Sequence, residues 1–372
     1  MRCGVFLLWK KGMYYNMSDW GKRVRSVMIL MIALFIVIAN THLKIETKRV
    51  DISAMGDEIP VKVVKLSGAG SGSVYLLSNA GNIYSLCYSD EKYYVELWHP
   101  EFWNGIRIVD LCTSRHYTNI LALDSEGNSY RWDMEYERDE STGLSVKKED
   151  WSIQRVENIP KVREIFTAYR QIVIVAEDGN AYRYRWYPDE DFNLVVEDMG
   201  SIEMGSPILN IAATKEELFI LDQDHVLWSV GNTENESKKY VQKDVHSIVQ
   251  TGNGFTVRMM DDEIYVHNTR YLECGYDKVM FADRYEAEKV VFGGKISSMS
   301  VSNVTAVVCM DGKYYRWGKE PNTRAFGGYI PGVLTYDEPF EMDLKNLNFY
   351  TVVGQDIIYL DEKNQMFILL QR

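Results

Sequence analysis

Five cysteines and six histidines are the side chains here best able to hold a metal or to act as nucleophile and base. Their spacing does neither. Cys3 stands near the N-terminus, and Cys87, Cys112, Cys274 and Cys309 are scattered without a C-x-x-C pair. No disulfide framework or zinc site is implied. No histidine pairs locally with a cysteine or carboxylate at ligand spacing, and neither H-E-x-x-H nor G-x-x-x-x-G-K-[ST] occurs. The run "GAGSG", Gly68 to Gly72, is followed by no helical pattern and reads as a loop rather than a phosphate cradle. "EGN" and "DGN" lack the alternating acids and terminal glutamate of a calcium loop. The acid runs "ERDE" and "DED" read as solvated loops. No catalytic, metal-ligating or cofactor-binding residue is nominated, and no cofactor is expected.

The chain offers short polar loops instead. They recur between an apolar strand and the strand leading into a turn. Read in order, they present Arg115 and His116, Tyr169 and Arg170, Lys215 and Glu216, Asn253, Asn303, and Gln355 with Asp356. Loops on rigid strands are where binding surfaces are usually carried. Arg and Tyr are the side chains most often found as interface anchors, which singles out Arg115, Tyr169 and Arg170.

The elements that hold these loops come from a repeat. "SNAGNIYSLC", "DSEGNSYRWD", "AEDGNAYRYR", "DQDHVLWSVG", "MDDEIYVHN", "MDGKYYRWG" and "DEKNQMFILL" each run from a polar turn into a short aromatic strand. Three residues after the turn's Gly, or its His, Asp or Asn substitute, stand Tyr84, Tyr130, Tyr182, Trp228, Tyr265, Tyr315 and Phe367. Their spacings are 46, 52, 46, 37, 50 and 52. Gly, Asn and Asp tolerate positive φ, so these are hairpin turns. The flanks "VYLL", "NILAL", "IVIVA", "LFIL", "TAVVC" and "DIIYL" are β-branched and apolar. The aromatics, and the residues two beyond them, read as packing between sheets.

A repeat of this length, made of strands, means stacked blades that bury their faces only against neighbours. The last unit ends at Arg372 one strand short, and a spare strand-like run, Lys48 to Met55, precedes the first. Supplying the missing outer strand from that run closes the ring and removes an edge.

The pattern resembles the regulator of chromosome condensation type of repeat over about residues 48 to 372. "MDGKYYRWG" and "DSEGNSYRW" are its best copies, and His116 and Thr118 match the family's His-then-Thr. The resemblance implies an all-β fold, a seven-bladed β-propeller of RCC-like repeats.

The front of the chain differs. Residues 1–43 carry six basic residues and one acid; the rest carries 35 basic and 52 acidic, so the net of −12 divides into +5 and −17. Behind a basic segment, residues 1–26, the run Val27 to Ala39 is thirteen residues without a charge. Residues 27–43 are expected to form an apolar helix, a signal anchor or signal peptide. The cationic flank sets the N-terminus inside and the propeller on the outer side of the cell membrane, or secreted if the segment is cleaved.

The expectation is a monomeric extracytoplasmic binding module with a protein partner, or a saccharide, on one face. The alternative is a propeller enzyme, a lyase or hydrolase with its site at the channel mouth. Guanine-nucleotide exchange at chromatin, the activity of the best-known family member, and the phosphate-contacting surface that nucleic acid requires, are opposed by the −17. Secreted propellers that inhibit β-lactamases belong with the binding class.

Overall fold

The computed structural model describes residues 45–371 apart from 67–72, 114–118, 134–135, 139–144, 148–151, 157–158, 169–170, 189–193, 234–236, 252–253, 269–271, 273–277, 303–304, 320–334 and 355. The compact unit to which all of these but Ile45 belong runs from Glu46 to Gln371. The apolar run 27–39 lies outside the described residues. Among those described, no helix is long and apolar enough to cross a membrane.

The chain opens on β1 (Ile45–Asp51). A first group follows: β2 (Pro60–Leu66), β3 (Ser73–Ser78), β4 (Ile83–Ser89) and β5 (Lys92–Leu97). The second is β6 (Ile108–Thr113), β7 (Asn119–Asp124) and β8 (Ser129–Asp133), then a small hairpin of β9 (Tyr136–Arg138) and β10 (Ser145–Lys147), then β11 (Ser152–Arg155). The third is β12 (Val162–Ala168), β13 (Gln171–Ala176), β14 (Ala181–Pro188) and β15 (Leu194–Ile202). The fourth is β16 (Ile208–Ala213), β17 (Glu217–Asp222), β18 (Leu227–Gly231) and β19 (Lys239–Gln242). The fifth is β20 (Val245–Thr251), β21 (Gly254–Met259), β22 (Ile264–His267), β23 (Lys278–Phe281) and β24 (Tyr285–Val290), where β24 and not β23 lies beside β22. Then come β25 (Ile296–Val301), β26 (Ala306–Met310), β27 (Lys313–Lys319) and β28 (Thr335–Met342). The last are β29 (Phe349–Val353), β30 (Asp356–Leu360) and β31 (Met366–Gln371). Pairing within the groups is antiparallel. One helical turn, Pro100–Trp103, sits between the first and second groups.

The last group is a strand short, and β1 fills the place: it lies between β31 and β5, pairing in parallel with β5 at Val50 and Asp51. The strand is Ile45–Asp51 rather than Lys48 to Met55. It stops because the Asp51 carboxylate accepts the Ser53 N–H and opens a short 3₁₀ turn, Ser53–Met55.

The core sits between the groups. Along β7, Ile120 and Ala122 pack with Tyr75, Leu77 and Ile83 of the first group, whereas Leu121 and Leu123 pack with Val162, Ile165 and Ile172 of the third. Alternate side chains of one strand therefore serve opposite neighbours. That is why the second strands read as unbroken apolar runs. Similar clusters join the third group to the fourth, and so on to the last. A further one joins Ile358, Ile368 and Leu370 of the last group to Val74, Leu76 and Val95 of the first, around Val50 of β1. Consistent with this, β29 packs beside β2. The fold is all-β and propeller-like.

Candidate functional site

Two ends of the ring are candidates, because antiparallel strands put the polar loops at one end and the Asp-Gly turns at the other.

At the turn end the repeat has a second use beyond reversing the chain. In "LALDSEGNSY", the Asp124 carboxylate accepts the N–H groups of Glu126 and Asn128, the Asn128 side-chain amide and, at 2.9 Å, the Tyr130 hydroxyl. Burial works against its charge, but these donors outweigh it and hold the carboxyl below its ordinary value. Tyr130 is pushed up to about 12, first by burial and then by that carboxylate. Asp222 does the same for the N–H groups of Asp224 and Val226 and for the Trp228 indole N–H, 2.7 Å away. Tyr130 and Trp228, expected as packing, are thus also anchors of their turns. An Asp six residues before the aromatic is the signal, and it recurs at Asp361 before Phe367, where the two N–H bonds remain and the ring has no donor.

The turns also stitch neighbouring groups. The N–H of Ile108, first residue of β6, donates to the Gly81 carbonyl; Val162 donates to Gly127 and Val245 to His225. Between β21 with its following turn and β25, side chains take over: the Asp262 carboxylate accepts the Ile296 N–H, and Arg258, ion-paired with Asp262, donates to the Ile296 carbonyl.

Just inside these stitches, each of β2, β6, β12, β16, β20 and β25 skips one residue in its register with the next strand. The skipped residues are Val61, Val109, Arg163, Leu209, His246 and Ser297, all exposed. The next position carries Lys62, Asp110, Glu164, Asn210, Ser247 and Ser298, and Lys62 and Asp110 form an ion pair between β2 and β6.

At the loop end, Lys215 and Glu216 are exposed. Asp356 is not: it is 1% exposed and begins β30. Arg115, His116, Tyr169, Arg170, Asn253, Asn303 and Gln355 lie outside the described residues. The strand ends that flank them are tied together. Asn232 accepts from Gln171, donates to the carbonyls of Thr214 and Lys215, and its own carbonyl accepts from Arg185. Buried Arg183 grips the carbonyls of Gly231 and Thr233. Gln250 accepts from the Ala213 N–H, and Ser302 donates to Gly354. These polar clamps are not legible in the sequence, since those between groups join residues some 37 to 61 positions apart.

A cavity of about 410 Å³ opens at the closing seam, lined by Arg49, Lys92, Tyr93, Asn364 and Met366 among others. Among the described residues no group of three His, Cys, Asp or Glu could hold a metal ion.

No family model and no curated protein matches the chain. Solved structures do. Yeast RCC1 (Prp20) in its complex with Kap60 is similar with a TM-score of 0.52 at 15% identity, covering 84% of this chain and 81% of that one. The Saccharomyces cerevisiae Prp20p structure, described together with its binding properties to Gsp1p and histones, gives 0.51 at 16%, covering 81% and 80%. Human WBSCR16 gives 0.51 at 12%, covering 89% and 88%. At these identities the likeness is one of fold, the RCC1-type β-propeller.

Proposed function

We propose that this chain is a protein-interaction module, a seven-bladed ring held on the outer side of the cell membrane by residues 27–43. Each of the seven repeat units supplies one blade, and β1 completes the last. The observation that carries the reading is the loop end: its strand termini are clamped across blades by Asn232, Arg183, Arg185, Gln250 and Ser302, while the loops they carry differ from blade to blade. A fixed frame with varied polar tips is a binding surface. The fold likeness supports a protein as the partner, since yeast RCC1 is seen with Kap60 and Prp20p binds Gsp1p and histones.

The partner is to be captured with the full chain. Arg115→Ala, Tyr169→Ala and Arg170→Ala together should then weaken it more than about tenfold, roughly 1.4 kcal/mol. Unchanged affinity with the fold intact removes the loop end from consideration. For the location, protease added to intact cells should digest the ring. Protection until lysis refutes the outward orientation.

A further inference from the structure

The turn end of the ring carries features that neither the stitches nor the loop-end reading uses. A β-bulge ejects a side chain from its strand and sharpens the local twist. Twist alone would be served by any polar residue at the ejected position. Three of the six positions hold aliphatics instead: Val61 is 53% exposed, Val109 49% and Leu209 41%. Each is the second residue of its strand and follows a buried first residue.

Beside these three aliphatics the turns have the opposite character. The turns expose Glu126, Asp178, Asp224, Asp261, Asp311 and Glu362, one for each turn after the first. Among the described residues none of these six is in an ion pair. The cations nearby are largely taken: Arg163 by Glu164, Lys289 by Glu263, Lys313 by Glu341. Lys161 is spent on the Glu126 carbonyl and Asn128. Arg107, Lys243, Lys295 and Lys363 offset part of the charge, on a domain whose sequence carries −17 from Lys44 onward, 35 basic against 52 acidic residues.

We propose that this end docks a cationic segment of a protein partner, with aliphatic side chains entering onto Val61, Val109 and Leu209 and lysines or arginines meeting the carboxylate rim. The rim steers the encounter and selects the sign of charge, and the aliphatics hold the complex. Exposed aliphatics inside a polar rim are the ordinary anatomy of such a surface.

The probe is a fluorescent peptide of alternating lysine and leucine, with lysine–serine and glutamate–leucine peptides as controls, titrated onto the full chain by anisotropy. The lysine–leucine peptide should bind, and more weakly as salt rises. Val61→Ser, Val109→Ser and Leu209→Ser together should weaken it about tenfold. Glu126→Gln, Asp224→Asn and Asp311→Asn should flatten its salt dependence. Lys215→Ala, at the loop end, should change nothing, which separates this surface from the one proposed above. Val109→Thr, which keeps shape and strand preference, guards against a folding defect, with thermal midpoints compared throughout. No binding of the lysine–leucine peptide at low salt, equal binding of the lysine–serine peptide, or unchanged binding by the serine triple variant overturns the proposal.

Discussion

Replacing Gly81 by alanine asks whether the repeated turn is only a hairpin device or also a joint between blades. Gly81 has φ +91, a region that costs an L residue about 1–2 kcal/mol. Its new Cβ would stand 2.6 Å from Arg107 Cγ and 2.8 Å from the Ile108 carbonyl oxygen. The arginine can swing aside. The carbonyl belongs to β6 and cannot move without loosening the Ile108 N–H bond to the Gly81 carbonyl, now 3.0 Å. Both residues are buried, so leaving those groups unpaired adds about 1–3 kcal/mol. Gly179 supplies the control, with φ +86 and nothing within 4 Å of where its methyl would stand. Gly179→Ala should therefore cost about 1–2 kcal/mol and Gly81→Ala about 2–5 kcal/mol. Denaturant titration of both variants, with unchanged slope, reads the difference directly. Equal losses would refute the joint and return the turn to a purely local role.

Three further outcomes concern the seam and the turn carboxylates. Val50 is 1% exposed within the cluster that joins the first and last groups, so Val50→Asp should release β1 and lower the thermal midpoint sharply. A chain beginning at Gly56 should melt below one beginning at Lys44, and equal midpoints for those two would sink the closure. Asp124 has its folded pKa below the ordinary 3.8, so its contribution is present above that value and lost as pH falls through the folded one. Asp124→Asn should then reduce stability at neutral pH while making the acid limb of the stability curve shallower. An unchanged acid limb would show that the carboxylate gains nothing from its donors.

What the sequence made legible is what a single strand or turn can encode. Short apolar runs rich in β-branched residues marked β3, β7, β13 and β17 as strands, and the clusters set their alternate side chains against opposite neighbours. The missing final strand was a count, and β1 beside β31 answers it. Polar character placed Asp356 in a loop, but the strand begins there and buries it. Arg183 in "YRYR" looks like a solvated alternate position; it is buried because carbonyls at Gly231 and Thr233 of the next group receive it. Nothing local to Arg183 announces them.

The bulges show most plainly where sequence reasoning stops. A bulge is two residues set against one, so it is a property of a pair of strands and of neither strand alone. "IVDLC" and "ILNIA" carry an exposed Val109 and Leu209 inside an apolar pattern, and taken singly each would be assigned to the core. Only the register skip between Ile108 and Asp110, and between Ile208 and Asn210, turns those side chains outward. The same skip in β2, β12, β20 and β25 makes the exposure a repeated feature of one end of the ring. An aliphatic left about half exposed at such a position adds little to the cores between blades, which is the ground for seeking its partner outside the chain.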